Sequence, residues 1–317
     1  MSEIRCAGMD IGKDEIEVCL LPEGTRRTIE YTDAGLAELV EWLSESRIDL
    51  AVMEATGGIE VQAATALATS GLPVIVVNPR QVRDYAKALG ILAKTDRLDA
   101  GVIARFGADT KPELRAIPDE AARALAELAK RRRAVMKMVV AEQNRLKRAQ
   151  SDEVRRRIKA HIQFLRHEIS DIDTTLKQLI KASPIWKARV DLLKTMPSIG
   201  ITTACALVAL LPELGRLDRR KIASLVGTAP FNNDSSKRTG ERHIRGGRAA
   251  IRSALYMATI SAIRCNPVIK PFYLQLLARG KLKKVAIVAA MRKLLVCLNA
   301  MARDHQAWDA LRFAPHA

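Results

Sequence analysis

The apolar residues of this chain change their period once, near residue 117, and that switch limits the possible folds more than any other feature. Before it, short β-branched or alternating runs (IRCAGMDIG, EIEVCLL, RRTIEY) are divided by the turn-prone KD and PEGT. Thr32 or Asp33 can cap a helix reaching about Ser46, with Leu36, Leu39, Val40 and Leu43 on one face. DLAVMEA and PVIVVNP read as buried strands, and helices are expected over 59–70, 79–88 and 96–106. After the switch the spacing is helical throughout.

The resulting order, β-β-β-α-β-α-β-α, is that of a ribonuclease-H-like α/β domain, a mixed sheet with helices on both faces. GADTKPELRAIP reads as a linker. Beyond it Leu125, Leu128, Val135, Val139, Leu146 and Ala149 step by threes and fours, with Arg132 and Glu142 interrupting the seam. Ile158, Ile162, Leu165, Ile169, Ile172, Leu176 and Leu179 repeat the spacing without a polar break. Heptads on two helices broken near 150–152 predict a helical hairpin with coiled-coil packing. The unbroken second seam predicts self-association, because its polar-broken neighbour leaves apolar surface to cover.

MPSIG followed by ITTACALVALLPELG has the pattern of half a helix-hairpin-helix, in which a Gly turn aims helix-terminal N–H groups at a phosphate. LVGTAPFNNDSSKRTGERHIRGG is glycine-rich, basic and long for a connection, which marks it as functional. Long helices are expected over 248–264 and 282–302. The expected organisation is therefore an α/β domain over 1–107, a helical coiled-coil segment over 118–183 and a mainly α domain over 184–317.

Charge follows the same division. Residues 1–117 carry 13 Lys and Arg against 19 Asp and Glu, a net of −6, and the remaining 200 carry 39 against 16, a net of +23. A field of that sign attracts a polyanion and releases its counterions, so nucleic acid is the expected partner. Aromatics at 4% argue against stacked bases as the main binding mode. Five scattered cysteines without a CxxC pair suit a reducing cytoplasm and give no zinc site. No apolar leader is visible in MSEIRCAGMD and no run approaches a bilayer span, so no membrane is expected.

Acidic residues stand where strands demand apolar ones. Asp10 ends the first strand in GMDIGKDEIEV, and Glu54 ends the fourth in AVMEATGG, each beside glycine. Asp96 and Asp99, from KTDRLDA, share one helix face. Singly, Asp96 reads as a helix cap and Asp99 as a surface charge; jointly, four converging carboxylates need cations, and hard oxygen donors suit Mg²⁺ or Mn²⁺. Asp14, Glu15 and Glu17 are assigned to the hairpin surface. The clusters Arg131, Arg132, Arg133 and Arg155, Arg156, Arg157 are either solvated faces or phosphate contacts.

GMDIGKDEIEV, VMEATGG, VNPRQVRDYAKALGILAKTDRLDA, MPSIG and GTAPFNNDSSKRTGERHIRGGRAAIRSALYMA, in that order, resemble the DEDD transposases of the IS-one-ten insertion-sequence family. The resemblance spans nearly the whole chain. It implies a RuvC-like N-terminal domain, a coiled-coil middle and a C-terminal transposase domain. The activity it implies is cleavage and rejoining of donor and target DNA, guided by a structured non-coding bridge RNA. By position, Asp10, Glu54, Asp96 and Asp99 match the family tetrad and Ser235 its nucleophile, although Ser236 stands where many relatives carry Gly. Lys237, Arg238, Arg242, His243, Arg245 and Arg248 then surround the reacting phosphorus. Without the resemblance, the loop reads equally as a plain phosphate grip. The carboxylates also fit a junction nuclease using metal-bound water, and the charge alone fits a non-catalytic binder. The resemblance further implies a dimer or tetramer in the bacterial cytoplasm, nucleoid-associated when active.

Overall fold

The computed structural model describes residues 4–91, 96–114, 118–232, 234–235, 238–240 and 242–313, with backbone alone at 96–98, 234–235 and 238–239. The chain divides into two compact units, Met1–Pro118 and Asp119–Ala317.

The first unit is built on five strands, β1 (Cys6–Ile11), β2 (Glu15–Leu21), β3 (Thr25–Glu30), β4 (Leu50–Glu54) and β5 (Val74–Val77). They lie in the order β3-β2-β1-β4-β5, with β1–β2 and β2–β3 antiparallel and β1–β4 and β4–β5 parallel. That is the ribonuclease-H-like arrangement expected from the element order. Helices α1 (Asp33–Glu45), α2 (Glu60–Thr69), α3 (Pro79–Ala88) and α4 (Asp96–Thr110) complete it. Thr32 caps α1, its Oγ1 accepting from Gly35 N–H at 3.1 Å. Asn78 caps α3, whose first helical residue is a proline that has no N–H to satisfy.

Alternation along the strands sorts side chains to two cores. Ala7, Met9, Ile11, Ala51 and Met53 pack with Leu36, Leu39, Leu43 and Leu67 from α1 and α2. Cys6, Leu50, Val52, Ile75 and Val77 pack with Val82, Ala86, Val102, Ile103 and Phe106 from α3 and α4. α4 continues four residues past its expected end, through the start of the expected linker.

The second unit is helical: α5 (Glu120–Arg148), α6 (Asp152–Ala182), α7 (Pro184–Lys194), α8 (Ile201–Leu210), α9 (Arg219–Val226), α10 (Ala249–Cys265), α11 (Ile269–Ala278), α12 (Lys283–Asp304) and α13 (Ala310–Phe313). α5 and α6 form an antiparallel hairpin with Arg132 opposite Asp173 and Glu142 opposite His161. The polar interruptions of the first heptad seam thus meet polar partners. One apolar core runs from Leu125 through the α6 seam to Met301.

Two expectations need correction. The second heptad seam is not an exposed surface: Ile162, Leu165, Ile169, Ile172 and Leu176 are all buried, covered by α5, α7 and α8. An unbroken apolar stripe signals burial, and here the cover comes from the same chain. The second concerns α12, whose 22 residues are long and apolar enough to cross a membrane by length and composition. Half of its most apolar stretch is buried, with Ala286, Ala290, Met291, Leu294, Leu295, Leu298 and Met301 in the core cluster. It is a central helix of this unit.

Candidate active site and nucleic-acid interface

The register of the two central strands brings the first two carboxylates together. β1 and β4 run parallel with Cys6 level with Leu50 and Met9 level with Met53, so one further residue puts Asp10 level with Glu54. Neighbouring strands lie about 4.8 Å apart. By alternation, Asp10 shares its sheet face with Cys6 and Gly8, and Glu54 with Leu50 and Val52, which is the face that α4 covers. Both carboxylate residues are only partly exposed.

α4 is seated on that face by glycine. A Cβ on Gly8 would overlap the backbone of Ala100 and Ala104, and a Cβ on Gly107 would overlap Cys6 and Val52. The helix therefore runs antiparallel to β1 in backbone contact with it. From Gly8 to Asp10 the strand advances about 6.6 Å, which is four to five helical residues at about 1.5 Å each. Counting back from Ala100–Ala104, the turn level with Asp10 is 96–99. Asp99 is partly exposed; the Asp96 side chain lies outside the described residues. No group of three or more His, Cys, Asp or Glu that could hold a metal ion occurs among the described residues. Asp10, Glu54 and Asp99 nonetheless supply the hard oxygen donors that a divalent cation takes.

Two residues beside this cluster escaped the sequence reading. Glu60, buried at the start of α2, accepts from Thr56 N–H (3.1 Å), Thr56 Oγ1 (3.1 Å) and Gly58 N–H (2.7 Å). It fixes the loop that leaves Glu54, and its signal was an acid in the first turn of a helix after Gly-Gly. Glu17 is paired with Asp10 across the β1–β2 ladder and accepts the Thr28 hydroxyl at 2.6 Å.

Ser235 belongs to the second unit. The loop expected there contains two short ladders, nested in sequence. β6 (Pro230–Phe231) pairs with β9 (His243–Ile244), and β7 (Asp234–Ser235) pairs with β8 (Arg238–Thr239), with Ser235 opposite Arg238. The Ser235 and Arg238 side chains, Ser236 and Lys237 lie outside the described residues. The base of the loop is glycine-packed: Gly227 ends α9 in the left-handed region, and a Cβ on Gly247 would strike the Gly227 backbone. Arg252 straps the two together through Val226 O at 3.1 Å and Gly246 O at 2.6 Å.

Two family models match the chain: one described as "Transposase" over residues 7–150, the other as "Transposase IS116/IS110/IS902 family" over residues 190–274. The pilin gene-inverting protein of Moraxella lacunata is 30% identical over 312 residues, covering 95% of this chain and 97% of its own length, and that of Moraxella bovis matches to the same extent. The chain belongs to the IS110 family of transposases. The transposase for insertion sequence element IS1111A of Coxiella burnetii is 31% identical over 105 residues, 33% of this chain and 27% of its own. Membership makes this transposase an enzyme acting on DNA.

The basic residues of this transposase fall into two kinds. Arg132 is held by Asp173 through both carboxylate oxygens at 2.6 and 3.0 Å, and Arg248 by Glu213 at 2.5 and 2.6 Å with a further bond to Leu210 O at 2.9 Å. Both guanidiniums are largely covered and join elements of the helical unit. Arg131, Arg155 and Arg156 are more open: Arg131 lies 3.6 Å from Glu168, Arg155 bonds Ala149 O at 3.1 Å, and Arg156 forks onto Glu153 while 75% exposed. Arg242 and His243 are exposed, and exposed Arg245 sits 5.3 Å over the Phe231 ring. In the MPSIG turn, Ser198 has φ 89° and its buried Oγ has no hydrogen-bond partner, while the N-terminus of α8 at Gly200 has no side-chain cap.

Proposed function

We propose that this transposase cuts and rejoins DNA by attack of the Ser235 hydroxyl on a phosphodiester. In this reading Asp10, Glu54, Asp96 and Asp99 hold Mg²⁺ or Mn²⁺, and a structured non-coding RNA selects the donor and target strands. The observation that carries the carboxylate half is the level pairing of Asp10 with Glu54 on adjacent parallel strands, with the 96–99 turn of α4 alongside. In cleavage the Ser235 Oγ–P bond forms as the bond from phosphorus to one deoxyribose oxygen breaks, and the serine proton passes to that leaving oxygen. Reverse attack by a deoxyribose hydroxyl restores the phosphodiester, so no ATP is consumed. A divalent cation, when bound, withdraws charge from the phosphoryl oxygens. Arg238, Arg242 and Arg245 supply positive charge near the serine, whereas Arg132 and Arg248 act by holding the helical frame.

The relatives matched end to end are named for gene inversion. Inversion and insertion use the same two bond exchanges and differ in whether both sites lie on one DNA molecule, so this chain serves either outcome. The working form is a dimer or tetramer, because recombination holds several strand ends at once. The test traps the intermediate: denatured reactions should contain DNA linked to wild-type protein and none linked to Ser235→Ala, while Ser236→Ala still forms the adduct. Adducts from Ser235→Ala end the serine assignment. Free DNA ends without adduct in the wild type favour a metal-water nuclease. Mixing Ser235→Ala with Asp10→Ala subunits then reads whether one site draws on two chains, through recovered cleavage.

A further inference from the structure

The turn joining α11 to α12 carries Arg279, Lys281, Lys283 and Lys284 within six residues and no acidic residue among them. All four are exposed, and none makes an ion pair or side-chain hydrogen bond with a described residue. The turn is rigidly formed. Gly280 has φ 75°, its N–H donates to Leu277 O at 2.9 Å, and Lys281 N–H reaches Leu276 O at 3.1 Å, a closure that needs glycine in the left-handed region. Two of the cations stand against the local field. Lys283 and Lys284 open a 22-residue helix whose first turn has no acid and whose N-cap, Leu282, can accept no hydrogen bond. Positive charge there opposes the helix dipole and lowers stability in the free protein. Arg279 and Lys281, at the C-terminal end of α11, suit the dipole; Lys283 and Lys284 have no such local use. The patch also lies outside residues 7–150 and 190–274, the stretches matched by the family models.

We infer that this turn is a docking surface for the phosphate backbone of duplex DNA, separate from the serine loop and the carboxylates. The inference rests on the reading of this chain as a DNA-binding transposase. Closely spaced unpaired cations on a rigid turn fit successive phosphates, and the absence of aromatics over 278–285 leaves no stacking platform for a single strand. The contact positions DNA without reading its sequence.

The experiment measures binding of a mixed-sequence 30-bp duplex by the full-length protein across a salt series, with an RNA hairpin of similar length in parallel. Replacing Arg279, Lys281, Lys283 and Lys284 by Gln should flatten the log Kd against log salt slope for DNA by about 3, near 0.9 for each phosphate lost. RNA binding should keep its slope. The Lys283→Arg, Lys284→Arg protein should bind as wild type does. Lys283→Glu, Lys284→Glu should weaken DNA binding further while the melting temperature holds or rises, the opposite of what a structural role gives. An unchanged DNA slope in the Gln variant, or a change confined to RNA, overturns the inference while leaving the DNA-binding reading intact. A wild-type protein without salt-dependent DNA binding removes both.

Discussion

Residues 1–118 and 119–317 differ in architecture and in the sign of their charge, and the two differences belong together. The sheet unit nets −6 and the helical unit +23. A parallel pair of central strands sets two side chains at one level through backbone hydrogen bonds, which suits carboxylates that must stand within ångströms of each other despite repulsion. A helical surface suits the other task, because every exposed face can bear Lys and Arg while the apolar stripe stays inside. The division has a consequence. The unit carrying Asp10 and Glu54 repels a phosphate backbone until cations are bound, so attraction for DNA falls to the rest of the chain.

The largest expected effect lies in the acidic unit. Asp10→Ala or Glu54→Ala should lower the rate of DNA strand cleavage by at least ~10³-fold, since losing a ligand removes charge stabilisation at phosphorus. The melting temperature should stay within a few degrees, because relief of like-charge repulsion offsets lost contacts. Cleavage with Mg²⁺ that persists in either variant disproves the carboxylate site. Next comes the basic unit. DNA affinity should fall about 10³-fold or more between 50 and 200 mM salt, with protein–DNA crosslinks concentrated in peptides after residue 118. Crosslinks spread evenly over both units would contradict the charge division.

Gly8→Ala comes third. The added methyl meets the backbone of Ala100 and Ala104 rather than a side chain that can turn aside, so a loss of about 3 kcal/mol is expected by urea unfolding, at the upper end for overpacking. A neutral result would mean that α4 can lift from β1. Within the helical unit, Arg132→Ala should cost about 2 kcal/mol for its charged hydrogen bonds, whereas Arg156→Ala, on an exposed pair, should cost less than about 0.5 kcal/mol. Equal values would erase the distinction between framework and surface arginines. The smallest effect is chemical. Burial pushes the Cys6 thiol up to about 12 and the Cys205 and Cys297 thiols to about 11. A thiol reagent at pH 8 should therefore label exposed Cys265 alone in the native protein, as peptide mapping would read.

Local chemistry made much of this visible in the sequence. The Thr32 cap, the Asn-Pro start of α3 and the alternation in the strands are decided by neighbours a few residues away, and they lie where they were expected. Asp10 and Glu54 could be identified as acids at strand ends, but their being level depends on a register between segments 44 residues apart, which no local pattern encodes. The α6 seam shows the same limit from the other side. Its heptads correctly announce a buried stripe, but the cover includes α7 and α8, which arrive later in the chain. Strands of two residues, as in the ladders around Ser235, are too short to leave a period. Glu60 was overlooked because its work is done on the backbone of the preceding loop, not by charge.

Gly8 has a meaning beyond packing. A mobile element survives as many copies, most of them drifting, and the obvious ways for one to fall silent are changes at its catalytic carboxylates or its serine. The missing side chain at residue 8 adds a target with no chemistry of its own. Every single-base change that turns this glycine codon into another residue's puts atoms where α4 must lie, and the copy loses its 96–99 turn with all its acids intact. Among decayed copies, a larger residue at this position would mark an inactive element as surely as a lost aspartate.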